Sequence, residues 1–93
     1  MIRIVKLTFK PEHFQDFLNF IEPFRIKINA VEGCHGVQFL SDMSNPHIFF
    51  TYSHWDNEES LDAYRQSELF QHVWTTVKQW FVDKPEAWSL NNL

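Results

Sequence analysis

The run HIFFTYSHW, residues 47–55, restricts the fold more than any other segment of the chain. Its aromatic and β-branched residues favour an extended backbone over a helix. Successive side chains on a strand point to opposite sides. Phe49, Thr51, Ser53 and Trp55 therefore share one face, and Ile48, Phe50, Tyr52 and His54 the other. Both faces carry large apolar groups, so both need a covering layer. The helical segments of a 93-residue chain suffice for one side of a sheet only. A second copy of the chain is the obvious cover for the other side, which predicts a homodimer with Phe50 and Tyr52 in its interface and His54 beside them.

Composition makes the same demand. Aromatic residues form 17% of the chain, as ten Phe, four Trp and two Tyr, which is more aromatic area than the limited core of one small domain takes up. The surplus is expected to line a pocket, a subunit interface, or both. The length predicts a single domain over residues 1–93. A formal net charge of −4 with no basic stripe argues against a general nucleic-acid binder. Glu22, Arg25 and Lys27 interrupt the longest apolar stretch, so no membrane span is expected. The lone cysteine, Cys34, excludes an intrachain disulfide framework, and the N-terminal MIRIVK lacks the apolar run of a secretory leader, which makes the cytoplasm the expected compartment.

Periodicity supplies the remaining elements. IRIVKLTF, residues 2–9, alternates like a strand with one face more buried than the other. Pro11 suits the first position of a helix, where Phe14, Phe17, Leu18, Ile21 and Ile28 recur at helical spacing. Pro23 removes a backbone donor and divides that helix into a piece near 11–22 and another reaching about residue 30. Gly33 offers the positive φ of a helix terminator, and Gly36 permits an irregular start to a strand over 34–41, which pairs with the 47–55 run as a hairpin across the turn DMSNP. Asp56 or Asn57 caps the helix EESLDAYR, and Ser67 with Glu68 opens another, on which Phe70, Val73, Trp74 and Val77 share a face that Trp80 or Phe81 closes. Pro85 ends the helical region and EAWSLNNL reads as a last strand. The order is β-α-β-β-α-α-β, an α+β split βαβ arrangement with an antiparallel sheet and helices on one face.

The block FFTYSHWDNEESLDAYRQSELF, residues 49–70, resembles the central part of the antibiotic-biosynthesis-monooxygenase family. There a strand ends in Trp, a capped acidic helix follows, and a Ser-x-x-Phe step leads into the next helix. EGC at 32–34 and PEAWS at 85–89 fit the same pattern. The resemblance implies a ferredoxin-like subunit, two sheets packed face to face as a dimeric α/β barrel, and a pocket between sheet and helices in each subunit. The family spans cofactor-independent monooxygenases acting on quinol-like aromatics, haem-degrading enzymes, isomerases and members without known activity. Its strand-end tryptophan falls on Trp55. The helix tryptophan, iron-ligating histidine and strand-one asparagine of the haem-degrading branch fall on Tyr64, Trp74 and, at or near it, Ile4, which disfavours haem chemistry. The asparagine that the monooxygenase branch often carries four residues before the strand-end Trp falls on Thr51.

Among candidate chemical groups, Trp55, Tyr64 and Trp74 can either fill the core or form stacking walls for a planar substrate. His72 lies off the apolar stripe and is open to two readings, a solvated surface residue or a general base at a pocket rim. Thr51 and His72 are the polar contacts expected of a catalytic pocket. Cys34 and His35 point to opposite strand faces, and the five histidines show no paired ligand spacing, so no metal site is expected; Cys34 reads as a structural thiol. With Gly33 and Gly36 the only glycines, a phosphate-cradling loop is absent and no nucleotide cofactor is implied. Two functions are weighed: a cofactor-independent monooxygenase acting on a small aromatic or quinol-type molecule, and a non-catalytic dimer that binds such a molecule without converting it. An enzyme requires at least one buried polar or ionisable group aimed into the pocket, whereas a binding module can have aromatic walls alone.

Overall fold

The computed structural model describes residues 1–93. Its elements are β1 (Ile2–Thr8), α1 (Phe14–Ile21), α2 (Arg25–Asn29), β2 (Cys34–Ser41), β3 (Ile48–Trp55), α3 (Glu58–Arg65), α4 (Glu68–Val77) and β4 (Glu86–Leu90). The four strands form one antiparallel sheet in the order β2-β3-β1-β4: the hairpin strands β2 and β3 lie side by side, the terminal strands β1 and β4 lie side by side, and β1 joins the two pairs by lying against β3, as the split βαβ pattern predicts.

Several local details sharpen the sequence reading. Pro11 opens a 3-10 turn, Pro11–His13, rather than an α-helix: Lys10 is extended and gives no side-chain cap, and the first bond is the short one from the His13 N–H to the Lys10 carbonyl, 2.9 Å. Pro23 sits in a second 3-10 turn, Glu22–Phe24, that separates α1 from α2. Asn57 is the cap of α3, its side chain accepting from the Ser60 N–H at 2.9 Å, and Ser67 caps α4 by accepting from Phe70, 3.2 Å. β4 stops at Leu90 because its partner strand ends there, Leu90 facing Ile2. Residues 91–93, expected within that strand, have no strand beside them. Similarly, β1 ends at Thr8, and Phe9 makes only an isolated bridge to Phe81.

The two glycines shape the entry to β2. Gly33 has φ +84°, and a Cβ there would lie 2.4 Å from the Ser60 Oγ, so the loop both needs the left-handed conformation and passes too close to α3 for a side chain. Gly36, at φ +126°, lies where the β2–β3 register shifts between Cys34 and Val37. That bulge returns Val37 to the side of Ser53 and keeps Cys34 opposite Trp55, although the two are three positions apart.

The core lies between the sheet and the helices. Leu7, Phe9, Phe17, Ile21, Ile28, Phe49, Val73 and Val77 form one buried cluster, centred on Phe9 stacked on Phe17 at 4.2 Å with Phe49 edge-on to Phe17 at 4.7 Å. Burying each such ring is worth about 1.5–3 kcal/mol. Only 11 of the 93 residues are buried, and ten of them are hydrophobic, so much apolar area stays outside this core.

Candidate functional site

That area divides between the two faces of the sheet. On the helix-covered face a cavity of about 370 Å³ lies between the strands and the helices. Its floor is the inward row of the sheet, including Val5, Leu7, Val37, Phe39, Thr51, Ser53 and Trp55, and its roof comes from α3 and α4 through Leu61, Tyr64, Phe70, Val73 and Trp74. Of its 21 lining residues 16 are hydrophobic, so a ligand there trades water for ring and methyl surfaces.

A continuous ladder of aromatic rings runs along one side. Trp55 stacks on Tyr64 at 5.3 Å and 27°, Tyr64 meets Phe70 edge-on at 5.3 Å and 79°, and Phe70 lies nearly parallel to Trp74 at 5.7 Å and 10°. Trp74 then meets Phe81 edge-on at 5.5 Å. The spacing follows from the elements: Trp55 ends β3, the Asn57 cap turns the chain into α3, and Tyr64 comes back over the indole two turns later. Trp55 is 3% exposed and donates its indole N–H to the Ser53 Oγ at 3.0 Å, while the Ser53 hydroxyl donates to the Arg3 carbonyl at 3.3 Å. This chain fixes the plane of the indole and satisfies its one polar atom.

Burial pushes the Tyr64 phenol up to about 12, with the nearby Cys34 acting in the same direction. At neutral pH the hydroxyl therefore keeps its proton and is a hydrogen-bond donor within an apolar wall. Thr51 sits in the middle of the sheet, opposite Val5 on one side and Phe39 on the other, and presents its hydroxyl-bearing side chain to the same cavity.

The structure thus brings together four of the five residues singled out from the sequence: Thr51, Trp55, Tyr64 and Trp74 all line the cavity. It does not bring His72 there. Phe70, Val73, Trp74 and Val77 take the inward side of α4, and the helical turn leaves His72 on the flank, exposed, with its ring 6.0 Å from Phe20 and 5.5 Å from Phe24. His54 is exposed on the opposite sheet face against Tyr52, and His35 pairs with Asp56 at an exposed loop edge. Ile4 also belongs to that opposite face, between Tyr52 and Trp88.

Neither of the two charged lining residues was singled out from the sequence. Arg3 of β1 and Arg65, the last residue of α3, are the only charged groups on the cavity wall. The Arg3 guanidinium donates to the Ser89 Oγ at 2.9 Å, and its pKa is lowered by burial and by Arg65, with Asp62 opposing. Strand alternation already places Arg3 on the side of Val5 and Leu7, a cation within an apolar row, and that was the available signal.

The uncovered face is apolar as well. Leu40, Trp88 and Leu90 are 46%, 42% and 44% exposed, and Ile4, Phe50 and Tyr52 lie between them half-buried. Lys6 and Glu86 form an ion pair across the same face at 3.5 Å. No helix is long and apolar enough to cross a membrane.

Comparison with known proteins agrees with this architecture. A conserved protein from Methanosarcina mazei Go1 is 28% identical, with a TM-score of 0.85 over 92% of this chain and 86% of that one. A crystal structure described as an antibiotic biosynthesis monooxygenase superposes with a TM-score of 0.92 over 100% of this chain and 99% of its own at 16% identity, and a Mycobacterium tuberculosis protein gives 0.89 over 99% and 93% at 13%. No curated protein matches. The family model for antibiotic biosynthesis monooxygenase matches residues 1–75, which take in β1, the hairpin, the strand-end Trp55 and the ring ladder as far as Trp74; the chain belongs to that family.

Proposed function

We propose that the protein is a cofactor-independent monooxygenase acting on a small aromatic or quinol-type molecule held in the helix-covered cavity. The observation that carries this reading is the ring-lined cavity itself, apolar along Trp55, Tyr64 and Trp74 and supplied with hydroxyl groups at Thr51 and Tyr64. A hydroxyarene would lie flat against the ladder with its oxygen near a hydroxyl donor. Loss of its phenolic proton to water leaves a carbanion at the para carbon, which adds O2; departure of water then gives the quinone. The balance is substrate plus O2 to quinone plus H2O, and the substrate supplies every electron. The residues contribute orientation and exclusion of solvent, which alone can be worth several kcal/mol of barrier. Thr51 is the polar contact in this reading, and His72, on the flank of α4, is not one.

One observation favours the second reading, a binding module without turnover. None of the lining residues is His, Asp, Glu or Lys, so the cavity holds no general base. Haem suits it poorly: Trp74 stands where an iron ligand would be needed, no histidine reaches the cavity, and Ile4 faces away from it. Oxygen uptake with a panel of hydroxynaphthalenes separates the first two. The monooxygenase predicts uptake above buffer, weakened about tenfold or more in Tyr64→Phe and unchanged in His72→Ala. Saturable binding with no uptake would assign the second reading, and a shifted Soret band on adding haemin would revive the third.

The uncovered face supports a homodimer built on Leu40, Phe50, Tyr52 and Trp88, closing the paired sheets into a barrel, because an apolar surface of this extent is rarely left in water. Light scattering at micromolar protein should give twice the 11.2 kDa chain mass. Cytoplasmic residence belongs to the same reading, supported by the single, unpaired Cys34.

A further inference from the structure

The protein carries a net charge of −4, yet the only charged residues on the cavity wall are two cations, Arg3 and Arg65. They reach it from different elements, β1 and the C-terminal end of α3. Arg65 is 51% exposed at its side chain, and the neighbouring strand β4 is exposed throughout, so the pair stands at the open end while the ring ladder forms the interior. The nearby carboxylate is Asp62, 4.0 Å from Arg65 and mostly in solvent. Two guanidiniums against one carboxylate leave one positive charge unbalanced at the mouth of an apolar chamber. Ser89, directly across from Arg3 in the β1–β4 pairing, holds the Arg3 fork in place through its hydroxyl. An arginine partly withdrawn from water that must share its one counter-charge is a cost to the empty protein, and it becomes an asset when an anion arrives.

We infer that the ligand of this cavity carries one carboxylate on its apolar, planar body, the body lying against Trp55 and Tyr64 and the carboxylate held between Arg3 and Arg65 at the mouth. A guanidinium presents paired donors that match a carboxylate's two oxygens, which gives the ligand a fixed end and orients its ring along the ladder. This rests on reading the cavity as a small-molecule site, and narrows that reading to aromatic acids rather than neutral quinols.

Isothermal titration of the intact protein with 2-naphthoate and with its neutral counterpart 2-naphthamide tests it. The acid should bind about tenfold or more tighter than the amide, the scale of a charge-assisted fork, and the gap should narrow as salt is raised. In Arg3→Gln/Arg65→Gln the gap should vanish while amide binding persists. Arg65→Gln alone, at a half-exposed position that the fold does not depend on, should already reduce it several-fold, so a double variant that fails to fold leaves the test intact. Equal binding of acid and amide by the wild type, or a gap that is undiminished in Arg65→Gln, overturns the inference and leaves the small-molecule reading standing. Binding of neither overturns both.

Discussion

The two faces of one sheet meet the same problem differently. On the inner face the rings are ordered by the chain's own helices: Phe17 is 1% exposed between Phe9 and Phe49, Trp55 is tied to Ser53, and Tyr64 is laid over Trp55 by α3. On the outer face Trp88, Leu40 and Leu90 are nearly half exposed and no element of the chain covers them. Alternation along β1 and β3 makes both faces at once, so an apolar residue's job is set by what lies above it. The inner face can then enclose a ligand because its cover is built in; the outer face has no such cover within the chain.

Substitutions that act on one face alone break or sharpen this contrast. The largest effect is expected at the inner core: Phe17→Ala should cost about 3–5 kcal/mol of stability in urea unfolding, since it empties the space between two rings. Ionising Tyr64 comes next. Its folded-state pKa lies above the ordinary 10.0, so the contribution is fully present below pH 10 and is lost as pH rises toward 12. The loss is at most about 3 kcal/mol, and Tyr64→Phe should flatten that part of the stability–pH curve. On the outer face, Leu40→Glu/Trp88→Glu should leave the subunit folded but weaken self-association by about 2 kcal/mol or more, read as a monomer in light scattering. A variant that stays folded and keeps the mass of the wild-type dimer would show that this face is not an interface. The smallest effect is Asn57→Ala, about 1 kcal/mol; it removes the cap of α3 and should loosen Tyr64 over Trp55 before anything on the outer face responds.

Much of this contrast is legible in the sequence. The alternation of residues 48–55, the glycine stop at Gly33, the caps at Asn57 and Ser67 and the stripe of α4 are local properties, and each sits where its periodicity or turn chemistry puts it. The arginine pair was not legible because its meeting is tertiary. Arg3 reads as one residue of an alternating strand and Arg65 as a favourable cation in a helix's last turn. Only β1 lying between β3 and β4, with α3 crossing the inner side, brings them to one opening. His72 shows the reverse: spacing put it off the stripe, and the structure keeps it there, against Phe20 and Phe24.

The four tryptophans report on these regions separately: Trp55 and Trp74 in the cavity wall, Trp80 on the helical flank and Trp88 on the outer face. Their indole N–H signals in a 15N–1H spectrum provide the most direct test. The account predicts that adding 2-naphthoate shifts Trp55 and Trp74 and leaves Trp88 in place, and that dilution shifts Trp88 alone. Movement of Trp88 with ligand while Trp55 and Trp74 stay fixed would contradict it.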